Sequence, residues 1–422
     1  MKKSPKKYIK ISSYEAHEGE VNKIVLLYSG GLDTSMMLKW IQEEYNAEVV
    51  ALTIDIGQQK DDLEAARQKA LRLGAVEAIV IDAKEEFAEM VISKGIKANA
   101  SYQGGYHLST PMGRVILAEK AVEVARQTNA DAIAHGATGK GNDQVRIEGY
   151  CLAIAPEVKI LAPVREWDMD RNEQIHYAQE HGIEVPATID FPYSVDDNMW
   201  GMTWEGGEIE DPAVIAPTEK FLTAYSSPQN APDEPELVKI EFESGIPIAV
   251  NGKKSKLYEL IAQLNGIGGA HGVGIIQLIE DRIVGVKNGG VYEMPAARIL
   301  VDSHKALERY VSTRALNEIK ETLDIKWAYL CYGAQWYDPS MRAINAFNDE
   351  VNRVVDGVVT VKLFKGTMQV VAIESPNGLE HTSFNRNEGF NFNVNASAGF
   401  IEIYTQQMRT ANERFNNKNS KK

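Results

Sequence analysis

The sequence predicts an α/β protein: a doubly wound parallel sheet, then a second domain of mixed α+β type, then a C-terminal helix. Three observations predict it. From Lys23 to Val164 short apolar runs alternate with segments of helical periodicity, the rhythm of βαβ units. Two of those runs stop at glycine-rich turns, Ser29-Gly30-Gly31 and Gly136 to Gly141, at the strand ends where open parallel sheets bind ligands. Beyond Asp211 the rhythm breaks at five closely spaced prolines (Pro212, Pro217, Pro228, Pro232, Pro235), and hairpin signals take over.

The elements follow in order. KIVLLY (23–28) is compact and apolar, as a buried parallel strand requires. From Thr34 to Glu44 the apolar residues Met37, Leu38 and Ile41 recur at helical spacing. A strand reads over 47–56 and a helix closed by Gly74 over 61–74. A strand at 77–83, helices from Glu85 and over 114–128, and strands at 131–136 and 158–164 complete the series. In the second half, LVKIEFESGIPIAVNG reads as a hairpin and SKLYELIAQLNGIGG as a helix. RIVGVKNGGVYEMP reads as another hairpin, turning at Asn288-Gly289-Gly290. A helix near 302–324 and strands near 357–373 follow, and the tail is amphipathic from about Ala398. The expected divisions are an arm (1–22), the parallel-sheet domain (23–190), a second domain (191–397) with its proline-rich connection at 211–236, and the tail (398–422).

Composition narrows the function classes. With 44% hydrophobic and 25% charged residues, the 422-residue chain is ordinary for a water-soluble globular protein, and no apolar run nears the ~20 residues that span a bilayer. The net charge of −14 disfavours general nucleic-acid binding, because phosphate backbones select basic surfaces. Cys151 and Cys331 are too few and too far apart for a disulfide framework or a cysteine-built metal site, which fits a cytoplasmic protein. The basic start MKKSPKK and the polar stretch after it read as a loosely docked arm.

Ser29-Gly30-Gly31-Leu32-Asp33-Thr34-Ser35 joins a strand to a helix. Its glycines let the backbone approach a ligand, and three hydroxyls and the helix-start amides offer donors to an anion. The plain alternative is a strand–helix turn capped by Asp33 or Thr34. A phosphate loop that transfers a γ-phosphoryl group carries a lysine, and this one has none.

The pattern S-G-G-x-D-[ST]-S resembles the pyrophosphate loop of the N-type ATP pyrophosphatases, which grips the β- and γ-phosphates as one leaving unit while attack falls on the α-phosphate. Further blocks resemble the argininosuccinate synthases: AHGATGKGNDQVRIE (134–148), APVREWDMDRNEQIHYAQEHGIEVP (162–186), YSVDDNMWGMTWEGGEIEDP (193–212) and HGVGIIQLIEDRIVGVKNGGVYEMPA (271–296), with DIGQ at 55–58. The blocks are collinear. That family joins citrulline to aspartate with ATP, yielding argininosuccinate, AMP and pyrophosphate. The resemblance implies an ATP site at Leu27, Tyr28, Ser29, Gly30, Gly31, Leu32, Asp33, Thr34, Ser35 and Ile54. Gly136, Thr138, Gly139, Lys140, Gly141 and Asp143 complete it, and magnesium arrives with ATP. It assigns aspartate to Thr138, Asn142 and Asp143. Citrulline falls to Tyr106, Thr110, Asn142, Arg146, Ser194, Thr203, Glu205, Glu280 and Tyr292. Asp33 and Asp143 are the expected catalytic residues, and no metal site built by the protein is expected.

Plainer roles stand beside these. Lys140 reads equally as a solvated lysine, Tyr292 as a core aromatic, and Glu280-Asp281-Arg282 as a surface charge cluster. His135 and His271 read as backbone-orienting residues. The chain also departs from the family pattern: Ile54 stands where a small alanine is expected beside adenine, Pro111 where serine or alanine is usual, and Val115 where proline is. Pro111 is expected to remove a backbone donor from the citrulline loop. Two other classes compete. Another adenylylating enzyme with this loop, such as a tRNA thiolase or a glutamine-fed synthetase, needs paired cysteines with a basic surface or an added nucleophile. A non-catalytic nucleotide sensor has no use for the blocks around 138–146, 194–205 and 280–292. The resemblance also implies small-molecule partners only, with no nucleic acid or membrane, and a homotetramer.

Overall fold

Strands β1 (Lys23–Leu27), β2 (Glu48–Asp55), β3 (Glu77–Asp82), β4 (Ala132–Ala134) and β5 (Lys159–Leu161) lie parallel in the order 3-2-1-4-5 in the computed structural model. It describes residues 8–419 except 59–61, 168, 170, 186–192, 221, 223–224, 380–392 and 394. β2 is buried from Val49 to Ile54 on both faces, which is why its sequence is continuously apolar. The chain runs outward from β1 to β3 and returns beside β1 as β4. The loops after β1 and β4 therefore open one crevice at the point where the strand order reverses. Helices α1 (Leu32–Glu44), α2 (Leu63–Arg72), α3 (Lys84–Glu86), α4 (Ser93–Lys97), α5 (Ser109–Thr128), α6 (Asp143–Ile154), α7 (Pro163–Glu166) and α8 (Arg171–Glu180) connect or follow these strands, with a π-helical turn at Phe87–Ile92.

β6 (Ser194–Asn198) and β7 (Gly201–Glu205) form a hairpin. It joins β11 (Ile275–Asp281) and β12 (Lys287–Glu293) in a sheet of order 11-12-7-6. A third sheet, of order 10-9-8-13-14, contains β8 (Glu236–Glu243), β9 (Ile246–Val250), β10 (Lys253–Lys254), β13 (Gly357–Phe364) and β14 (Thr367–Glu374). Helices α9 (Leu257–Ala270), α10 (Pro295–Val311), α11 (Arg314–Tyr332) and α12 (Pro339–Asn352) complete this part. One hydrophobic core runs from Val25 on β1 to Leu363 on β13.

Several expectations need correction. The turn of the β11–β12 hairpin is Arg282 to Val286, closed by the Arg282 N–H on the Val286 carbonyl (2.9 Å). Asn288-Gly289-Gly290 lies inside β12. A Cβ at Gly289 would sit 2.3 Å from the Ile209 carbonyl oxygen, and one at Gly290 2.6 Å from the Tyr292 hydroxyl, so these glycines serve close approach. The helix expected at 302–324 is two, α10 and α11, parted at Ser312 where Thr313 caps the second through Leu316 N–H (3.3 Å). Pro111 is in no loop. It sits in the first turn of α5, where an N–H has no helical partner, and so costs the helix nothing.

The arm is docked from Tyr8 onward, while the basic start at 1–7 lies outside the described residues, as does the boundary expected at 190. β5 is the edge strand of the sheet, and the arm takes up its outer backbone groups. Ala16 N–H donates to Ile160 O and Ile160 N–H to Tyr14 O, both at 2.9 Å. Packing divides the chain into units 1–377 and 378–422. The second holds α13 (Asn395–Tyr404) and α14 (Gln406–Asn419), on which Phe400, Ile401, Ile403, Tyr404, Met408 and Phe415 are exposed.

Candidate active site

The loop after β1 is held open by its glycines. Gly30 has φ +79°, and a Cβ there would lie 2.7 Å from that of Ala66. Gly31 caps α1 without any side-chain bond, so neither Asp33 nor Thr34 takes the cap. The amides of α1's first turn thus face outward as an anion cradle. Ser29 Oγ and Thr34 Oγ1 approach to 3.2 Å at its rim. Ser35 differs from expectation: it is buried, and its hydroxyl is spent on the Gly31 carbonyl (2.7 Å) and the Tyr28 hydroxyl (3.0 Å).

Two cavities meet at this loop. The first, of about 700 Å³, is lined by Leu27, Tyr28, Ser29, Ile54 and Gly136, with Leu52, Leu117, Ile147, Met202 and Trp204 making its wall apolar. The second, of about 600 Å³, is polar. Ser29, Asp33, Thr34, Gly136, Thr138 and Gly141 line its loop side, and Asn142, Asp143 and Arg146 its floor. Tyr106, Thr110, Ser194, Thr203, Glu205 and Glu280 line its far side. Ser29, Arg114, Gly136, Ile147, Val195 and Asp196 border both cavities, so they are continuous. Gly30, Gly31, Leu32, Gly139 and the exposed Lys140 line neither. Tyr292 is fully buried, with its ring 4.5 Å from that of Tyr106 and its hydroxyl lacking a hydrogen bond.

The floor is an ion network. Asp143 accepts from Arg114 Nε (3.0 Å) and Nη2 (2.8 Å) on one oxygen and from Arg146 Nη1 (2.7 Å) on the other. Arg114 Nη2 also meets Asp196 at 2.8 Å. Burial alone would raise the Asp143 pKa, but the two guanidinium groups outweigh it and hold the carboxyl at about 2. Arg146 stacks on Tyr332 with 4.7 Å between its guanidinium carbon and the ring centre, and its buried Nη2 has no partner. Asn142 ties the loop to the second half of the chain, donating to the Tyr332 hydroxyl and accepting from Ile283 N–H (both 2.9 Å). Glu280 is buried and accepts from the Tyr332 hydroxyl; burial, together with the charge of Glu205, pushes its pKa up to about 7. It is no surface cluster. Glu205 is also raised by burial and pairs with Arg282 at 2.6 Å.

Sequence reasoning missed Arg114, Asp196, Arg282 and Tyr332. Arg114 alone carried a signal: a charged residue between Met112 and Val115, both wholly buried, on an apolar helix face. His135 sits behind the loop, its Nδ1 accepting the Ala137 N–H (3.1 Å). His271 meets Glu236 (3.1 Å) and lines neither cavity.

An apolar pocket joined to a polar one through an uncapped helix start suits a ligand with a flat apolar end, an anionic middle and a polar co-substrate beyond. Comparison with known proteins agrees. The family described as arginosuccinate synthase N-terminal HUP domain matches residues 23–184, and the arginosuccinate synthase C-terminal domain matches 193–411. The chain is 48% identical to an argininosuccinate synthase of Pyrococcus furiosus over 386 residues, covering 91% of this chain and 93% of the relative. It is 46% identical to one of Symbiobacterium thermophilum (90% and 95% covered) and 44% identical to one of Methanopyrus kandleri (93% and 99%). Sheet order, crevice and matched blocks agree along nearly the whole chain, which belongs to the argininosuccinate synthase family.

Proposed function

We propose that this chain ligates citrulline and aspartate at the expense of ATP, with the two cavities dividing the work. In this reading, which takes residues 23–190 as the nucleotide part and 191–397 as the substrate part, adenine lies in the apolar cavity against Leu27 and Ile54. The β- and γ-phosphates rest on the amides of residues 30–34. The citrulline ureido oxygen attacks the α-phosphate, forming a citrullyl-adenylate as pyrophosphate leaves. The aspartate amine then attacks the ureido carbon, and AMP departs to give argininosuccinate.

Arg146 Nη2, buried and unpartnered, offers a donor to citrulline, with Thr110, Ser194 and Thr203 as hydroxyl partners. Glu205 and Glu280 accept from citrulline nitrogens. Tyr292 acts by backing Tyr106. Thr138, Asn142 and Asp143 serve aspartate, with Asp143 doing so while holding both arginines. Among the described residues no three His, Cys, Asp or Glu side chains cluster as a metal site. Asp33 at the cradle fits Mg²⁺ that arrives on ATP's own oxygens. When bound, that ion offsets the charge of the leaving pyrophosphate.

The continuity of the two cavities at the uncapped start of α1 carries this reading. It extends to a cytoplasmic homotetramer acting on small molecules alone, without nucleic acid or membrane. The net charge of −14, the exposed apolar stripe on α13 and the lack, among the described residues, of a helix long and apolar enough to cross a membrane support that extension. The test is citrulline-dependent release of pyrophosphate from ATP, and argininosuccinate formation once aspartate is added. Asp33→Ala lowers turnover by two or more decades, since a preorganised charge-stabilising contact supplies ~3–4 kcal/mol. Near-normal turnover in that variant would sink the loop assignment.

A further inference from the structure

The family match begins at Lys23, yet residues 8–22 are built into the molecule. Tyr8 donates to Glu15 (2.5 Å), which also accepts from Ile11 and Ser12 N–H (3.0 and 2.9 Å). Lys10 meets Glu166 at 3.1 Å, and Lys159 Nζ donates to Ser13 O at 2.6 Å. This folded arm forms a parallel bridge, Glu15 to Ile160, on the outer edge of β5.

The arm leads inward. The Tyr14 carbonyl accepts the Ile160 N–H, and the next β5 residue, Leu161, accepts the His135 N–H (3.2 Å). The Tyr14 hydroxyl lies near Glu148, and burial together with that carboxylate raises its pKa. Glu148 is 5% exposed and receives Arg165 through Nη1 (2.6 Å) and Nη2 (3.2 Å). It also meets His135 Nε2 at 3.2 Å. The Ala137 N–H can only donate, so His135 Nδ1 is an acceptor and Nε2 carries the proton toward Glu148. Glu148 thus selects the tautomer that holds the Ala137 amide, and with it the backbone of the Gly136–Gly141 loop. Arg165 works on the same loop from outside: it donates to Gln144 (3.2 Å), and its Cγ lies 3.5 Å from where a Cβ on Gly139 would stand.

We infer that residues 8–16 are a positioning strand for the second ATP loop, acting from the β5 edge through Ile160, Leu161 and His135 to the Ala137 amide, with Tyr14 set beside Glu148. The inference rests on the reading that this loop serves ATP. Arm, β5 and His135 are linked by backbone hydrogen bonds, so loosening the arm changes the loop before it changes the citrulline partners Thr110, Ser194 and Thr203 on the far side of the crevice.

Two full-length variants test this. Tyr14→Phe keeps the ring and removes the hydroxyl, and Ala16→Pro deletes the N–H that Ile160 accepts. Each raises the KM for ATP by roughly threefold to tenfold, the worth of one net hydrogen bond, and leaves the KM for citrulline unchanged. In ¹⁵N spectra of the histidine rings, with the His135 signals assigned from a His135→Gln sample, Tyr14→Phe shows a mixture of tautomers where the parent shows one. An unchanged ATP KM with an unchanged His135 signal in both variants overturns the inference. So does a parallel rise in both KM values, which would mean general loosening. Gly136→Ala separates the two ideas. If it leaves the ATP KM unaltered, the loop does not serve ATP and the inference falls with that reading. If it raises the KM while the arm variants do not, the arm alone is refuted.

Discussion

Replacing Asp143 by alanine removes the acceptor that Arg114 and Arg146 share. The two arginines are left in different positions. Arg114 keeps Asp196 at 2.8 Å, whereas Arg146, with 4% of its side chain exposed, retains only the Tyr332 carbonyl (3.1 Å) and ring. Stranding one buried charge costs about 3–5 kcal/mol. Arg146 can avoid that cost only by swinging away from the citrulline pocket. If even 3 kcal/mol of this reaches the first transition state, adenylylation slows by about two decades, at 1.36 kcal/mol per tenfold. The assay is rapid-quench measurement of pyrophosphate from labelled ATP with citrulline and no aspartate. We expect the burst to slow by about a hundredfold in Asp143→Ala, and less in Asp143→Asn, whose amide oxygen still accepts from one arginine. A burst of parental rate and citrulline dependence in Asp143→Ala would refute the reasoning. Asp143 would then serve aspartate alone, without the structural hold on Arg146.

Glu280, with its pKa raised to about 7 from an ordinary 4.5, is favoured in its protonated form by the fold. Its contribution is full below about pH 4.5 and is lost as pH rises to 7, because the unfolded chain releases that proton first. Glu280→Gln mimics the protonated form, so it should flatten this part of the stability profile and gain on the order of 3 kcal/mol over the parent at pH 8. Denaturant unfolding at pH 5 and pH 8 checks it, and an equal difference at both values counts against the assignment. Truncation before Ala398 removes the apolar stripe of Phe400, Ile401, Ile403 and Tyr404, which are 58–77% exposed in the single chain. Light scattering should show smaller assemblies, and an unchanged mass would mean the tail does not hold subunits together.

The parallel sheet was legible because its signals are local. A strand buried on both faces must be apolar throughout, as in Val49 to Ile54, and glycines at strand ends mark where backbone meets ligand. From that much the crevice between the loops after β1 and β4 follows, and the collinear blocks name most of the residues that line it. What the tertiary structure alone decided are the pairings between distant parts of the chain. Asp143 meets Arg114 across 29 positions, Asn142 meets Tyr332 across 190, and Arg282 meets Glu205 across 77. Nothing in the neighbours of Asn142 tells that its amide already bonds Tyr332 and Ile283. Nor does Asn-Gly-Gly, the strongest of turn signals, reveal that Ile209 and Tyr292 will press against it inside a strand. The arm shows the same limit: its residues are polar and locally unremarkable, and only the outer edge of β5 gives their backbone somewhere to bond. Backbone preference and burial pattern act over a few residues and can be read from the chain. Charge pairing and close packing depend on which surfaces the finished fold brings together.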